Sequence, residues 1–257
     1  MEGLGEGKRC RILLIRIGSD VHCRLSGEKS EHKGLATRLL ELALVPCAVA
    51  VVEYSLSPRT PTDSPPLHHP AHAQDVLAAL EYLRNPSPSA SSSYNPFRIY
   101  LIGHSAGAHI LASIFLQPPP GIPGCLEVSN NLIQSVKGIV MAEGIYDIDL
   151  LLSAHPDYRG FIEGAFDVRS SYVDVSPTSY VGREEGSHIT WLVVQSPGDN
   201  LIRQDQADAM LGVLKQQIPS EKISRDYDSV TEDHDELLRT SAFQDCIWRF
   251  VNQTNVS

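Results

Sequence analysis

The stretch Ile99-Tyr100-Leu101-Ile102-Gly103-His104-Ser105-Ala106-Gly107 decides the fold prediction. It starts as a short apolar run typical of a buried strand, contains the pattern Gly-x-Ser-x-Gly, and leads into an alanine-rich stretch with helical spacing. A serine at such a strand–turn–helix junction is typical of a nucleophile elbow. The helix directs its N-terminal amides at charge that develops on a substrate oxygen. We therefore predict Ser105 as a nucleophile and the Ala106 N–H as an oxyanion donor; the alternative is a turn that only opens a helix.

Short apolar runs alternate with helix-like stretches on both sides of this junction. Apolar spacing predicts strands over residues 11–17, 47–53, 98–102, 136–142, 190–195 and 222–227. It predicts helices over residues 35–44, 72–83, 106–116, 204–217 and 235–251, and it leaves residues 143–189 irregular. This alternation favours an α/β fold, a mostly parallel sheet with helices on both faces. The length of 257 residues, without a repeat or a linker, predicts a single domain over residues 1–257.

The composition indicates a globular chain and disfavours two classes of partner. Apolar residues make up 42% of the chain, and 21 basic against 31 acidic residues give a formal charge of -10. Because this charge repels phosphate backbones and anionic lipid, we expect neither nucleic-acid nor membrane binding. With no apolar run that could span a bilayer and no secretory signal, we expect a cytoplasmic protein. Five scattered cysteines argue against a disulfide framework.

Chain order selects the partners that a catalytic serine needs. The serine hydroxyl requires a base within hydrogen-bond reach and a carboxylate that orients this base, and in α/β-hydrolases the order is Ser, acid, His. We prefer His234 as the base because it falls between the last predicted strand and the closing helix. We prefer Asp199 as the acid because it directly follows the strand at 190–195; each could instead be a turn or cap residue. The weaker candidates are His155, His188, Asp147 and Asp174.

The other histidines receive structural interpretations. His104 and His109 flank the elbow and are interpreted as structural, with a position at the pocket wall left open for His109. His68, His69 and His72 lie in or next to a proline-rich stretch without carboxylate or thiolate support, so we expect no metal site there. We expect no cofactor.

Further segments accompany the Gly-x-Ser-x-Gly pattern: Glu53-Tyr54-Ser55-Leu56-Ser57-Pro58, the stretch 69–80, Glu143-Gly144-Ile145-Tyr146-Asp147, the stretch 157–166, Ser176-Pro177 and Ser196-Pro197-Gly198-Asp199. With them the chain resembles the kynurenine formamidases, most of all the fungal members, over about residues 48–250. The resemblance implies an α/β-hydrolase fold and hydrolysis of N-formyl-L-kynurenine to L-kynurenine and formate in tryptophan degradation. It also implies Ser105 as nucleophile, Asp199 as acid and His234 as base.

The N-terminal region departs from this family. Its members have a His-Gly-Gly-x-Trp segment, whose glycine amides help to form the oxyanion hole, and an additional N-terminal hairpin. Here the corresponding stretch is Gly18-Ser19-Asp20, so we expect reduced N-terminal strands and assign the second oxyanion donor to the backbone of Gly18 or Ser19. Asp20 would bring negative charge near the oxyanion. Loss of one such donor reduces turnover by about 10²- to 10³-fold.

We therefore expect a serine hydrolase that acts on a small-molecule substrate through an acyl-enzyme, and three alternatives stay open. The same triad would serve a carboxylesterase for small esters, because pocket shape decides between the two bonds. A catalytically impaired α/β-hydrolase-fold binding protein is the second alternative. The third is an incorrectly assigned exon over residues 16–46. Homodimer formation also stays open.

Overall fold

A six-stranded parallel sheet organises the residues that the computed structural model describes, namely 10–15, 32–43, 47–57, 67–86, 94–122 and 125–254. Its strands are β1 Cys10–Ile15, β2 Cys47–Val52, β3 Ile99–His104, β5 Val136–Ala142, β7 Thr190–Val194 and β8 Ile223–Asp226. They lie in the order β2-β1-β3-β5-β7-β8, and every neighbouring pair is parallel. The two-residue strands β4 Leu116–Gln117 and β6 Val181–Gly182 form a separate antiparallel pair.

Helices cover both faces of the sheet. They are α1 Lys33–Glu41, α2 Ala71–Arg84, α3 Ala106–Phe115, α4 Asn130–Ser135, α5 Ile148–Ala154, α6 Arg159–Phe166, α7 Gln204–Gln217 and α8 Ser241–Thr254. Successive strand side chains point to opposite faces. Leu101 and Ile139 accordingly pack with α2, α3 and α7, whereas Tyr100 and Val140 pack with α1 and α8. The predicted fold class is confirmed.

The region 143–189 is more regular than predicted. It contains α5, α6 and several single-turn 3₁₀ helices, and the apolar side chains of α5 and α6 form a third core cluster with residues such as Tyr172 and Ile202. The prediction of an irregular segment was wrong because helices of seven and eight residues contain too few turns to show a clear apolar period. This cluster matters for the site because α6 forms part of a cavity wall.

The closing helix begins later than predicted. A 3₁₀ helix at Glu236–Arg239 is separated from α8 by Thr240, whose φ of -89° and ψ of 147° are extended. The Thr240 hydroxyl accepts a hydrogen bond from the Phe243 N–H at 3.3 Å, as an N-terminal cap does. His234 therefore lies in a loop that precedes α8 by several residues.

The carboxyl ends of β3, β5, β7 and β8 meet at one edge of the sheet because these neighbouring strands are parallel. This edge is where ligands bind in open α/β sheets.

Within the described residues, no helix is both long and apolar enough to cross a bilayer. The expected reduction of N-terminal strands concerns residues 1–9 and 16–31, which lie outside the described residues.

Candidate active site

Ser105 lies on a strained turn between β3 and α3. Its φ of 53° and ψ of -125° are unusual for a residue with a side chain. The Ser105 N–H donates to the Ala142 carbonyl at the end of β5 at 2.9 Å, which anchors the turn to the neighbouring strand. A Cβ atom on Gly103 would lie 2.6 Å from the Gly107 carbonyl oxygen, so this close approach of strand and helix requires glycine. The turn thus has the geometry of a nucleophile elbow.

Asp199 and His234 meet at the same edge of the sheet. His234 Nδ1 lies 2.8 Å from Asp199 Oδ2, and both side chains are almost completely buried. Asp199 Oδ1 accepts hydrogen bonds from the N–H groups of Leu201 and Ile202 at 2.8 and 2.9 Å, which fixes the carboxylate. Because a carboxylate accepts, His234 Nδ1 carries the proton and Nε2 keeps its lone pair.

His234 Nε2 is buried and has no hydrogen-bond partner among the described residues. In particular, the structure forms no hydrogen bond between this nitrogen and the Ser105 hydroxyl. Such a contact is often long in a protein without substrate and shortens in the complex. The arrangement therefore supplies an oriented base at the edge that carries the elbow.

The loops that carry Asp199 and His234 are bonded to each other. The Ser196 hydroxyl donates to the Glu232 carbonyl, and the Asn200 N–H donates to Asp233 Oδ1 at 3.3 Å. A Cβ atom on Gly198 would lie 2.2 Å from the Thr231 carbonyl oxygen. Glycine at 198 consequently allows the two loops to pack tightly enough for the imidazole and the carboxylate to meet.

A second carboxyl, that of Glu143, lies in the same buried cluster. Glu143 Oε2 is 2.9 Å from His104 Nε2 and 3.4 Å from His234 Nδ1. Burial raises the pKa of Glu143 to about 10, and the nearby charge of Asp199 acts in the same direction. Burial also lowers the pKa of His104 well below its usual value. Both groups are therefore neutral at physiological pH.

Glu143 had no predicted role, although the segment that begins with it contributed to the resemblance. The signal that could have identified it is its position, directly after β5, at the edge where Ser105 and Asp199 also lie. His104 was interpreted as structural. Its Nε2 lies 2.9 Å from the His234 carbonyl oxygen as well as from Glu143, so it connects this carboxyl to the loop that carries His234.

The predicted oxyanion donors are only partly described. Ala106 is the first residue of α3, where helix geometry leaves the N–H without a partner in the helix, and it lines a cavity. Gly18 and Ser19, the predicted source of the second donor, and Asp20 lie outside the described residues.

The cavity next to Ala106 has a volume of about 260 Å³ and a mainly apolar wall. It is lined by Tyr54, Leu56, Ser57, His69, His72, Ala106, His109, Ile110, Ile145, Gly160, Phe161, Gly164, Ala165 and Phe166. Two of its histidines pack against Phe166, with ring centroids 5.4 Å (His69) and 5.1 Å (His109) from the phenyl ring. The position at the pocket wall that the sequence left open for His109 is the one observed, because His109 forms part of this wall.

The cavity histidines are kept neutral by burial. Burial lowers the pKa of His109 to about 4 and that of His69 well below the usual value. His109 Nδ1 lies 3.0 Å from the Ile145 carbonyl oxygen, so it carries the ring proton, and Nε2 has no partner among the described residues. The Ser57 hydroxyl donates to the Leu67 carbonyl and therefore accepts from His72 Nε2 at 2.9 Å. The cavity wall is thus polar at a few atoms but uncharged.

The weaker candidates lie away from this constellation. Asp147 caps α5, where its Oδ1 accepts from the Leu150 N–H at 2.9 Å, and Asp174 is exposed in a 3₁₀ helix. His188 Nε2 bonds the Val136 carbonyl, at the start of β5 and so at the opposite edge of the sheet. His155 stacks on Tyr158 with 4.8 Å between ring centroids.

The buried cluster of His104, Glu143 and His234 contains residue types that can bind a metal ion. Ligand atoms of His104, Glu143 and His234 lie within 4.8 Å of one another. The two nitrogens near Glu143 are His104 Nε2, which donates to a carbonyl, and His234 Nδ1, which donates to Asp199. Because a cation would have to displace both protons, these contacts favour a hydrogen-bonded cluster.

The sheet, the elbow after β3, and the acid and histidine at the same edge define an α/β-hydrolase-fold protein. The BD-FAE family profile matches residues 22–214. The chain belongs to the BD-FAE family.

Curated relatives confirm the resemblance to kynurenine formamidases. A kynurenine formamidase of Meyerozyma guilliermondii is 32% identical over 163 residues, which are 62% of this chain and 59% of that protein. One of Scheffersomyces stipitis is 29% identical over 145 residues, 50% of this chain and 47% of that protein. The matches thus span between about half and three fifths of the length of these relatives. Their names indicate a hydrolase.

Two of the solved structures with the same fold are esterases. A carbohydrate esterase from gut microbiota has a TM-score of 0.69 and 16% identity, covering 98% of this chain and 88% of that one. A carboxyl esterase of the mycorrhizal fungus Tuber melanosporum has a TM-score of 0.63 and 17% identity, covering 97% and 78%. At these identities the similarity shows the fold alone.

Proposed function

We propose that this protein is a serine hydrolase that converts N-formyl-L-kynurenine to L-kynurenine and formate, with Ser105, His234 and Asp199 as its catalytic triad. One observation carries the proposal. His234 donates from Nδ1 to Asp199 and keeps an unpartnered Nε2 at the sheet edge where the Ser105 elbow lies. The names of the fungal relatives support the substrate.

The reaction proceeds through an acyl-enzyme. Ser105 Oγ attacks the formyl carbon and gives its proton to His234 Nε2, while Asp199 holds the tautomer and stabilises the imidazolium. His234 then returns the proton to the arylamine nitrogen as the C–N bond breaks, which leaves a formyl ester on Ser105. Water, deprotonated by His234, attacks this ester, and formate leaves as the proton returns to Ser105 Oγ. The Ala106 N–H and a backbone N–H of Gly18 or Ser19 hold the oxyanion.

The cavity accommodates the aromatic leaving group. A formyl group has only hydrogen beyond its carbonyl, so the acyl part of this substrate needs no pocket. The cavity of about 260 Å³ beside Ala106 is therefore available for the arylamine ring, and its apolar wall, with Phe161 and Phe166, suits an aromatic surface.

A carboxylesterase is the second candidate, because the same cavity would hold the acyl chain of an ester. The two candidates differ in how rate depends on the acyl group. For a formamidase, kcat/KM on p-nitrophenyl esters decreases steadily from formate to butyrate, and N-formylkynurenine is the better substrate. For an esterase, kcat/KM rises with chain length until the cavity is filled.

Replacing the nucleophile tests the proposal directly. We expect Ser105→Ala to reduce formate release from N-formylkynurenine by about 10⁴-fold or more, since the serine forms the covalent intermediate. Ser113→Ala is the matched control: Ser113 is buried on the same helix, and its hydroxyl donates to the His109 carbonyl. The control should keep activity near the wild-type level.

A fluorophosphonate probe separates enzyme from binding protein. Labelling of the wild type that is lost in Ser105→Ala agrees with an activated nucleophile. Unchanged formamidase activity in Ser105→Ala would refute the assignment of the serine. A folded wild type that neither labels nor hydrolyses would favour the impaired binding protein.

A further inference from the structure

The Nδ1 side of His234 faces two carboxyl groups, of which the proposed triad uses one. Asp199 Oδ2 lies 2.8 Å from Nδ1, and Glu143 Oε2 lies 3.4 Å from the same nitrogen. We propose that Glu143 is a positioning residue that offers His234 Nδ1–H a second acceptor and takes over the role of Asp199 when that carboxylate is lost. This inference rests on the proposed function of the triad.

The backbone fixes Glu143 in this place. It directly follows β5, the neighbour of β7 in the sheet, and its φ of 49° turns the chain at the strand end. The Glu143 N–H donates to the Val194 carbonyl at the end of β7 at 2.9 Å. Because Asp199 follows β7, the two carboxyl groups are anchored to adjacent strands and approach the imidazole together.

His104 determines which atom of Glu143 faces the imidazole. His104 Nε2 lies 2.9 Å from the His234 carbonyl oxygen, which can only accept, so this nitrogen carries a proton. The same N–H therefore donates to Glu143 Oε2 at 2.9 Å. Oε2 is thereby held as an acceptor between His104 and His234 Nδ1, and the carboxyl proton belongs on Oε1.

The charge state explains why Asp199 is the first partner. Two ionised carboxylates in one buried cluster repel each other, so one of them stays protonated. Burial, and then the charge of Asp199, raise the pKa of Glu143. The ionisable groups that face it are Asp199 after β7, His104 at the end of β3, Asp233, His234 and Asp235 in the loop before α8, and Tyr146.

Removing Asp199 changes this balance. Without the aspartate charge, the pKa of Glu143 decreases, and the carboxyl loses its proton to solvent at a lower pH than in the wild type. The resulting carboxylate is the acceptor that His234 Nδ1–H then needs. Activity of an Asp199→Ala variant should therefore increase with pH as Glu143 ionises.

Four proteins test whether Glu143 can take over the role of Asp199: the wild type, Asp199→Ala, Glu143→Gln, and the double variant. Loss of the triad acid alone costs on the order of 10⁴-fold in turnover. We expect Asp199→Ala to lose only about 10²-fold at alkaline pH, the double variant about 10⁴-fold, and Glu143→Gln less than about 10-fold. As a control, Glu236→Gln added to Asp199→Ala removes an exposed acid that pairs with Arg239, and the remaining activity should stay near that of Asp199→Ala.

Proton NMR gives a readout that does not depend on turnover. A hydrogen-bonded imidazole Nδ1–H gives a downfield signal, assigned to His234 by its loss in His234→Asn. This signal should persist in Asp199→Ala at alkaline pH and disappear in the double variant. Equal activity and equal spectra of Asp199→Ala and the double variant would overturn the proposal for Glu143. If the downfield signals behave as expected but the wild type does not hydrolyse N-formylkynurenine, the proposed function is overturned. The role of Glu143 is then still supported.

Discussion

His234 and His109 have the same hydrogen-bond pattern and different surroundings. In both residues Nδ1 donates to an oxygen and Nε2 is buried without a partner among the described residues. The acceptor is the carboxylate of Asp199 for His234 and the carbonyl of Ile145 for His109. A carboxylate stabilises an imidazolium by a full charge, whereas a carbonyl offers only a dipole.

This difference shows that burial and tautomer alone do not make a histidine a base. Burial lowers the pKa of His109 to about 4, and the bond to the Ile145 carbonyl opposes this shift only partly. A ring with such a low pKa is a poor proton acceptor at neutral pH. His109 therefore serves as a neutral part of the cavity wall, and His234 is the histidine equipped to receive a proton.

The largest expected effect separates the two histidines directly. Asparagine retains a donor near the position of Nδ1 and lacks Nε2, so the same substitution can be made at both sites. We expect His234→Asn to reduce kcat/KM by about 10⁴-fold or more, because the base is lost. His109→Asn should cost no more than about 10-fold, mainly through KM. Equal losses at the two positions in folded proteins would contradict the comparison.

A smaller effect is expected at His104, which contacts His234 and is not among the residues that line the cavity. His104→Phe removes the donor to the His234 carbonyl and to Glu143. An unpaired buried acceptor costs about 1–3 kcal/mol, and the misplaced loop should lower kcat by about 10- to 10²-fold with little change in KM.

His104→Gln is the control for this prediction, since its amide can place an N–H near the position of Nε2. We expect it to restore most of kcat. If His104→Phe instead raised KM and left kcat unchanged, His104 would have a role in the cavity.

The sequence predicted those parts of the molecule whose signal is local. The strand Val136–Ala142 and the helix Gln204–Gln217 were predicted with the observed limits, because the first contains a short apolar run and the second has apolar residues at helical spacing. Chain order and strand ends were enough to choose Asp199 and His234, which the structure brings within hydrogen-bond distance.

The parts that were missed depend on contacts between distant segments. Glu143 is buried and neutral only because β5 and β7 are adjacent and His104 and Asp199 lie beside it. The cavity wall includes α6, a short helix that was predicted as irregular, and Phe166 of this helix packs against His69 and His109. No local pattern reports that these segments are neighbours.

The smallest expected effect is on stability. The contributions of Glu143, beside His234, and of His109, in the cavity wall, change with pH in opposite directions. Glu143 has a folded-state pKa of about 10, above the value of 4.5 of an exposed glutamate, so its contribution is greatest below pH 4.5 and is lost as pH rises towards 10. His109 has a folded-state pKa of about 4, below the usual 6.5, so its contribution is complete above pH 6.5 and is lost as pH falls towards 4.

Glu143→Gln removes one titration while keeping the size of the side chain, and His109→Asn removes the other while keeping a donor near the position of Nδ1. Relative to the wild type, Glu143→Gln should gain stability as pH rises, and His109→Asn should gain it as pH falls below 6.5, each by on the order of 1 kcal/mol per pH unit. Urea unfolding at pH 5, 7 and 9 measures both slopes. A slope near zero for Glu143→Gln would mean that Glu143 is ionised in the folded protein over this range, and a reversed slope for His109→Asn would mean that His109 is charged there. Either result would contradict the distinction between the buried cluster around His234 and the neutral cavity wall.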